Sequence, residues 1–196
     1  MLRFRKFPTV LLFVVAALSV AAPAQVPPAS HSTITIHVGK TGALSGFGHN
    51  HVIVAPIAHG SVDTKARKVE ITVLTAQMKV TDTDSEKDVP EIQKTMLGPT
   101  VLNAEKFPEI HFKSSRVEQT APGHFRVTGT LSLHGVNKPL TFAVTESGKR
   151  YQGKTKFLQT AFGIQPVKAG GGAVKVKDEL ELEFDIDPAE LKASKK

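Results

Sequence analysis

The stretch VKVKDELELEFDID, residues 174–187, alternates with a period of two. Val174, Val176, Leu180, Leu182, Phe184 and Ile186 fall on one face, and Lys175, Lys177, Glu179, Glu181, Glu183 and Asp185 on the other. Successive side chains of a strand point to opposite faces, so this segment forms a long strand with one buried and one wet side. Asp178 interrupts the apolar face, which predicts a strand end, a bulge or a polar contact there.

The same alternation recurs upstream. Phe125, Val127, Gly129, Leu131 and Leu133 oppose Arg126, Thr128, Thr130, Ser132 and His134, and Leu140, Phe142 and Val144 follow the turn-like GVNKP, so a hairpin is expected. Shorter strands are expected at Ile34, Ile36 and Val38; at Val69, Ile71 and Val73, running on toward Met78; at Ile110 and Phe112; and from Tyr151 through Phe157. One region departs from the period of two. SEKDVPEIQKTMLGPTVL places Val89, Ile92 and Met96 at helical spacing before Gly98-Pro99, predicting a short helical insertion near residues 85–102. Strands not separated by helices, with no internal repeat, argue against a parallel α/β sheet and predict an all-β antiparallel barrel of about eight strands.

The N-terminus is read separately. Arg3, Arg5 and Lys6 precede an apolar run from Val10 to Val20 and the small-residue exit Ala22-Pro23-Ala24, the pattern of a signal peptide over residues 1–24 with cleavage after Ala24. The expected product is a periplasmic or secreted protein. Residues 25–31 are Pro-rich and expected to be a flexible lead-in, residues 32–188 the barrel domain, and residues 189–196 a charged tail. Removing residues 1–24 takes three positive charges from a formal net charge of +7. The remaining lysines are scattered, Trp is absent and there is one Tyr, so no nucleic-acid stripe with stacking aromatics is present. With no Cys there is no disulfide or thiolate metal site, and no segment after the signal is apolar enough to span a membrane as a helix.

KFPEIHFKS (residues 106–114), followed by VTGTLSLHGVNKPL (residues 127–140), resembles the paired signature of the YceI-like family. The early strand running into GHNH, the small-residue return Gly60-Ser61-Val62, and AFGIQP before the last long strand extend the resemblance over roughly Ser32 to Asp187. GFGHNHVIVAP departs from the family's commoner start and resembles a divergent branch. The resemblance implies a lipocalin-like barrel and a non-enzymatic exported protein that encloses a polyisoprenoid or similar long-chain amphiphile, with no cofactor. The lining would then include Val127, Leu131, Leu133, Phe142, Val176, Leu180, Leu182 and Phe184. The polar end would lie near the Gly46 to His51 loop and the helical insertion. From the residues alone, a barrel interior filled by its own side chains is the stronger expectation.

His49 and His51 are the densest chemistry in the chain. As residues i and i+2 of a strand they would project together, and three readings stay open. They could be two ligands of a Zn²⁺ or Cu²⁺ site, needing a further donor such as His37, His59 or His111. They could donate hydrogen bonds to an anionic head group at the barrel mouth. They could be half-buried hydrogen-bonding spacers after a glycine turn. No G-x-S-x-G elbow, H-E-x-x-H or phosphate loop is present, which argues against an enzyme. Lys40, Arg126 and Lys138 are expected to be solvated strand-face charges.

Overall fold

The computed structural model describes residues 32–82 and 86–191. The expected signal peptide, the lead-in, Ser85 of the expected insertion and residues 192–196 of the expected tail lie outside these residues. Eleven strands appear among them: β1 (Thr33–Thr41), β2 (His51–Pro56), β3 (His59–Asp63), β4 (Lys68–Leu74), β5 (Lys79–Val80), β6 (Glu109–Ala121), β7 (His124–Leu133), β8 (Val136–Ser147), β9 (Arg150–Leu158), β10 (Lys168–Ala169) and β11 (Val174–Ile186). The count exceeds the expected eight. Two-residue β5 and β10 are too short to show a period, and β3, with Gly60 and Ser61, carries no apolar alternation.

All pairings are antiparallel, and the sheet runs β3-β4-β6-β7-β8-β9-β11-β1-β2-β5, with β10 added to the start of β11. This order curls the sheet into a barrel. Its ladder ends at β3 and β5, but β2 leads into β3 through Ile57 and Ala58, and the Ala58 amide donates to the Thr72 carbonyl of β4 at 3.0 Å. The gap between the ends is therefore spanned by the chain itself.

The long alternating segment forms β11 from end to end. Val38 of β1 stands opposite Leu180 while Lys40 stands opposite Val176, so residues 177–179 bulge against Gly39. Asp178 sits in this bulge and accepts hydrogen bonds from the Thr160 amide at 2.9 Å and its hydroxyl at 2.6 Å. The β7–β8 hairpin forms, but its turn is His134-Gly135, with φ of 53° and 77°, and Val136 to Pro139 already belong to β8. A two-residue turn with both φ positive matches the twist of the flanking strands, which a longer GVNKP loop would not. The Val69 to Val73 strand likewise ends at Leu74, and Met78 follows a short 3-10 turn.

The insertion is a single helix, α1 (Val89–Leu97), after a 3-10 turn at Glu86–Asp88 and ended by Gly98. It turns Met96 into the core, with Val89 and Ile92 packed beside it. Gln93 fixes α1 to the open edge of β5: its Oε1 accepts from the Val80 amide at 2.8 Å and its Nε2 donates to the Met78 carbonyl at 2.9 Å. The side-chain amide thus takes the place of a neighbouring strand and blunts the edge.

The two ends of the domain are tied together. Glu190 Oε2 accepts from the Ser32 amide at 2.5 Å and the Ser32 hydroxyl at 2.7 Å, and Ser32 Oγ accepts from the Asp187 amide at 2.8 Å. Arg150 Nε donates to Asp185 Oδ1 at 2.5 Å; this bond and the surrounding carboxylates hold its pKa above the ordinary arginine value. Glu190 thus ties residues 189–191 to the start of β1. Replacing Glu190 with Ala should lower stability by about 1–3 kcal/mol in urea denaturation, since it leaves the amide of the buried Ser32 without its acceptor. The same change at Glu179, whose partner Lys156 is exposed, should leave the urea midpoint essentially unchanged.

Candidate ligand-binding site

Inward-facing side chains surround a continuous cavity of about 860 Å³. The interior is open, which overturns the filled core expected from the residues alone. Period-two alternation supplies an apolar inner face from every long strand, but it does not fix how far the side chains reach toward one another. Here two glycines decide the reach. A Cβ on Gly129 would lie 2.5 Å from the Phe112 ring, and one on Gly153 2.4 Å from the Phe184 ring. Both phenylalanines lie along the wall over a bare backbone instead of standing into the lumen. Phe142 bridges them, with ring centroids 5.3 Å from Phe112 and 5.4 Å from Phe184, in tilted and edge-on contacts.

All eight residues expected to line a ligand border this cavity: Val127, Leu131, Leu133, Phe142, Val176, Leu180, Leu182 and Phe184. Phe112, Ile53 and Tyr151 also border it, none of which the sequence reading placed there.

The two ends of the cavity differ. One is capped by α1 and bordered by Lys40, Gly48, His49, His51 and Lys175, where β1 ends and β2 and β11 begin. The other is bordered by Asp63, Arg67, Gln119, Glu146 and Tyr151. Tyr151 donates to Glu146 Oε1 at 3.4 Å, and burial, reinforced by the Glu146 charge and this bond, raises the phenol above its usual pKa.

The histidines do not share a strand face. β2 begins at His51, and His49 lies before it, exposed. His51 Nδ1 donates to Asp82 Oδ2 at 2.5 Å, and the other oxygen, Oδ1, accepts from the Val52 amide at 2.7 Å. The Asp82 side chain is only 2% exposed. A buried carboxylate committed to two N–H donors fixes the tautomer and the plane of the ring, leaving Nε2 as the free edge. Asp82 is a residue the sequence could not nominate. It lies 31 positions from His51 in no recognisable spacing.

Among the described residues no group of three His, Cys, Asp or Glu side chains could hold a metal ion. His37 and His111 instead approach Glu183 and Glu70, at 3.8 Å and 3.2 Å, and neither they nor His59 border the cavity. Arg126 and Lys138 are exposed as expected, but Lys40 is not a freely solvated charge: its ammonium donates to the Gly48 carbonyl at the cavity mouth.

A family model, the YceI-like domain, matches the chain over residues 26–187. The chain belongs to the YceI-like family. A UPF0312 protein of Shewanella oneidensis is 29% identical to this YceI-like chain over 146 residues, spanning 69% of it and 73% of the relative. A UPF0312 protein of Azotobacter vinelandii is 32% identical over 130 residues, spanning 66% and 62%. Among solved structures, BcnA of Burkholderia cenocepacia superimposes with a TM-score of 0.56 at 17% identity, over 79% of this chain and 94% of BcnA. The Campylobacter jejuni YCEI protein gives 0.50 at 14%, over 91% of each. At these identities the two structures speak for the fold alone.

The Asp82–His51 pair of this YceI-like barrel makes a direct prediction. Nitrogen-detected NMR should find His51 protonated at Nδ1, and Asp82→Ala should abolish that preference and cost about 2 kcal/mol of stability.

Proposed function

We propose that this protein is a non-enzymatic carrier that holds one long-chain amphiphile, such as a polyisoprenoid, inside the barrel and shields it during storage or transfer in the periplasm. The observation that carries this reading is the open apolar cavity, whose volume lies in the range of about 300–1,000 Å³ typical of small-molecule sites. Membership of the YceI-like family supports a binding protein. Burial of hydrocarbon contributes about 0.8 kcal/mol per CH₂, so a chain running the length of such a cavity gains ample affinity even after ordering costs. The polar groups lie at the two ends, which suits a molecule with an apolar body and a polar terminus. The signal-peptide pattern of residues 1–24 supports export.

His51 suits the polar terminus. Asp82 holds its ring still, so little rotamer entropy remains to be lost when a head group meets Nε2. A metal site is less well served: His49 lies outside the strand, and among the described residues no group of three His, Cys, Asp or Glu side chains could hold an ion.

Native mass spectrometry of gently purified protein should show a retained lipid-like mass, or uptake of one from solution. A protein that takes up none would refute the carrier reading. Leu180→Trp offers an independent check: it adds bulk into open space, so stability should change by less than about 1 kcal/mol while lipid capacity falls sharply. In a filled core the same change would cost about 1–3 kcal/mol.

A further inference from the structure

The outer surface of the barrel is polar almost everywhere. Among the described residues only three large apolar side chains are strongly exposed: Leu44 at 49%, Leu158 at 48% and Val167 at 36%. Scattered singly, such residues mean nothing. These three are not scattered, because all lie at the helix-capped end. Leu44 follows β1, Leu158 ends β9, and Val167 immediately precedes β10. Their loops are bonded to one strand: the Leu44 amide donates to the Ala173 carbonyl at 3.0 Å, and the Val176 amide to the Val167 carbonyl at 2.9 Å. Leu158 stands opposite Glu179 on the same strand, β11.

Lysines share this end. Lys168 and Lys175 stand opposite one another in the β10–β11 ladder, and Lys177 follows two residues on; all three are exposed. Among the described residues none of them has an ion-pair partner, whereas the lysines farther along the same face of the barrel do: Lys154 pairs with Glu183, and Lys156 with Glu179 and Glu181. The carboxylates nearest the patch are also committed, Asp178 to Thr160 and Glu179 to Lys156. Asp88, in the 3-10 turn before α1, and Glu91 of α1 border the mouth on the helix side rather than the loop side. Among the described residues the opposite end of the barrel has no exposed large apolar side chain, and Asp63, Arg67 and Glu146 give it mixed charge.

From this we infer that the loops around the start of β11 form a docking tip for an anionic lipid bilayer, with Leu44, Leu158 and Val167 entering the interface and Lys168, Lys175 and Lys177 meeting acidic head groups. Apolar side chains ringed by unpaired lysines suit the boundary between head groups and acyl chains. The tip also borders the cavity mouth, since Val167 and Lys175 contribute to the cavity wall. A membrane-resident amphiphile could then pass between bilayer and barrel without crossing water. The inference rests on the carrier reading for its purpose, but its geometry stands separately.

The test uses variants outside the cavity wall: Lys168→Glu/Lys177→Glu, Leu44→Asp/Leu158→Asp, and Lys154→Glu as a charge control away from the tip. Residues 25–196 should co-sediment with vesicles of phosphatidylcholine and phosphatidylglycerol, weakly with phosphatidylcholine alone, and less as salt is raised. Each tip double variant should weaken binding at least about tenfold at low salt, while Lys154→Glu should change it little. All variants should still take up a fluorescent fatty-acid analogue from solution, which also reports that they fold. Equal binding by wild type and tip variants, or an equal loss in Lys154→Glu, would overturn the docking tip. Absence of binding to any vesicle, as expected if a protein partner covers this end, would overturn it as well. Loss of fatty-acid uptake by the wild type, with vesicle binding intact, would sink the carrier reading and leave the docking tip standing.

Discussion

The seam between β1 and β11 is the contact on which the rest of the barrel depends. It sets residues 33–41 against residues 175–185, from Thr33 opposite Asp185 to Thr41 opposite Lys175. The other long strands pair over much shorter sequence separations, through hairpins such as β6–β7, β7–β8 and β8–β9. Without the seam, β1, β2 and β5 would form a small separate sheet, α1 would have no barrel to cap, and the inner face of β11 would be wet. Closing so large a loop costs entropy, though the cost grows slowly with length. The Ser32–Glu190 and Arg150–Asp185 bonds lie at the start of this seam and reinforce it where the two chain segments first meet.

An open interior carries a stability cost of its own. Side chains facing a void lack the dispersion contacts that a packed core supplies. The barrel offsets this along its wall. Phe112, Phe142 and Phe184 contact one another around the circumference, and the first and last lie flat over Gly129 and Gly153. The glycines weaken their strands locally but let each ring bury a face against backbone. Outside, the Lys154–Glu183 and Lys156–Glu181 pairs are too exposed to add much. The hydrogen-bond ladder and the aromatic wall therefore carry the cavity.

How much of this was legible depends on the range of the signal. The alternation of β11 and β7 was read correctly because each residue's face is set by its immediate neighbours. The same local rule named eight residues of the cavity wall, from Val127 to Phe184, without deciding whether they touched across the middle. That depends on Gly129 facing Phe112 and Gly153 facing Phe184, pairings that exist only once register is known. The partner of His51 was out of reach for a similar reason, since Asp82 arrives from the loop after β5 and no spacing rule joins it to the GHNH stretch. The missed short strands β5 and β10 have no period to detect. The turn of the β7–β8 hairpin was displaced because Asn137 and Pro139 look like turn residues, while the conformation that matters is the positive φ of His134 and Gly135.

On the carrier reading, His51 would separate affinity from orientation. The apolar wall is non-directional, and a hydrocarbon chain slid by one methylene along it would lose little. A fixed polar group is needed to set which way round a ligand lies. A histidine on a mobile loop would serve poorly, because each head-group bond would carry the entropy of stilling the ring. Asp82 removes that cost in advance. It does so from a buried position, with its own oxygens filled by the ring and by the Val52 amide, and so it leaves no orphaned charge when the cavity is empty. The pair also joins β2 to the segment that leads from β5 into α1, so the same two hydrogen bonds that aim the ring hold the capped end of the barrel in register.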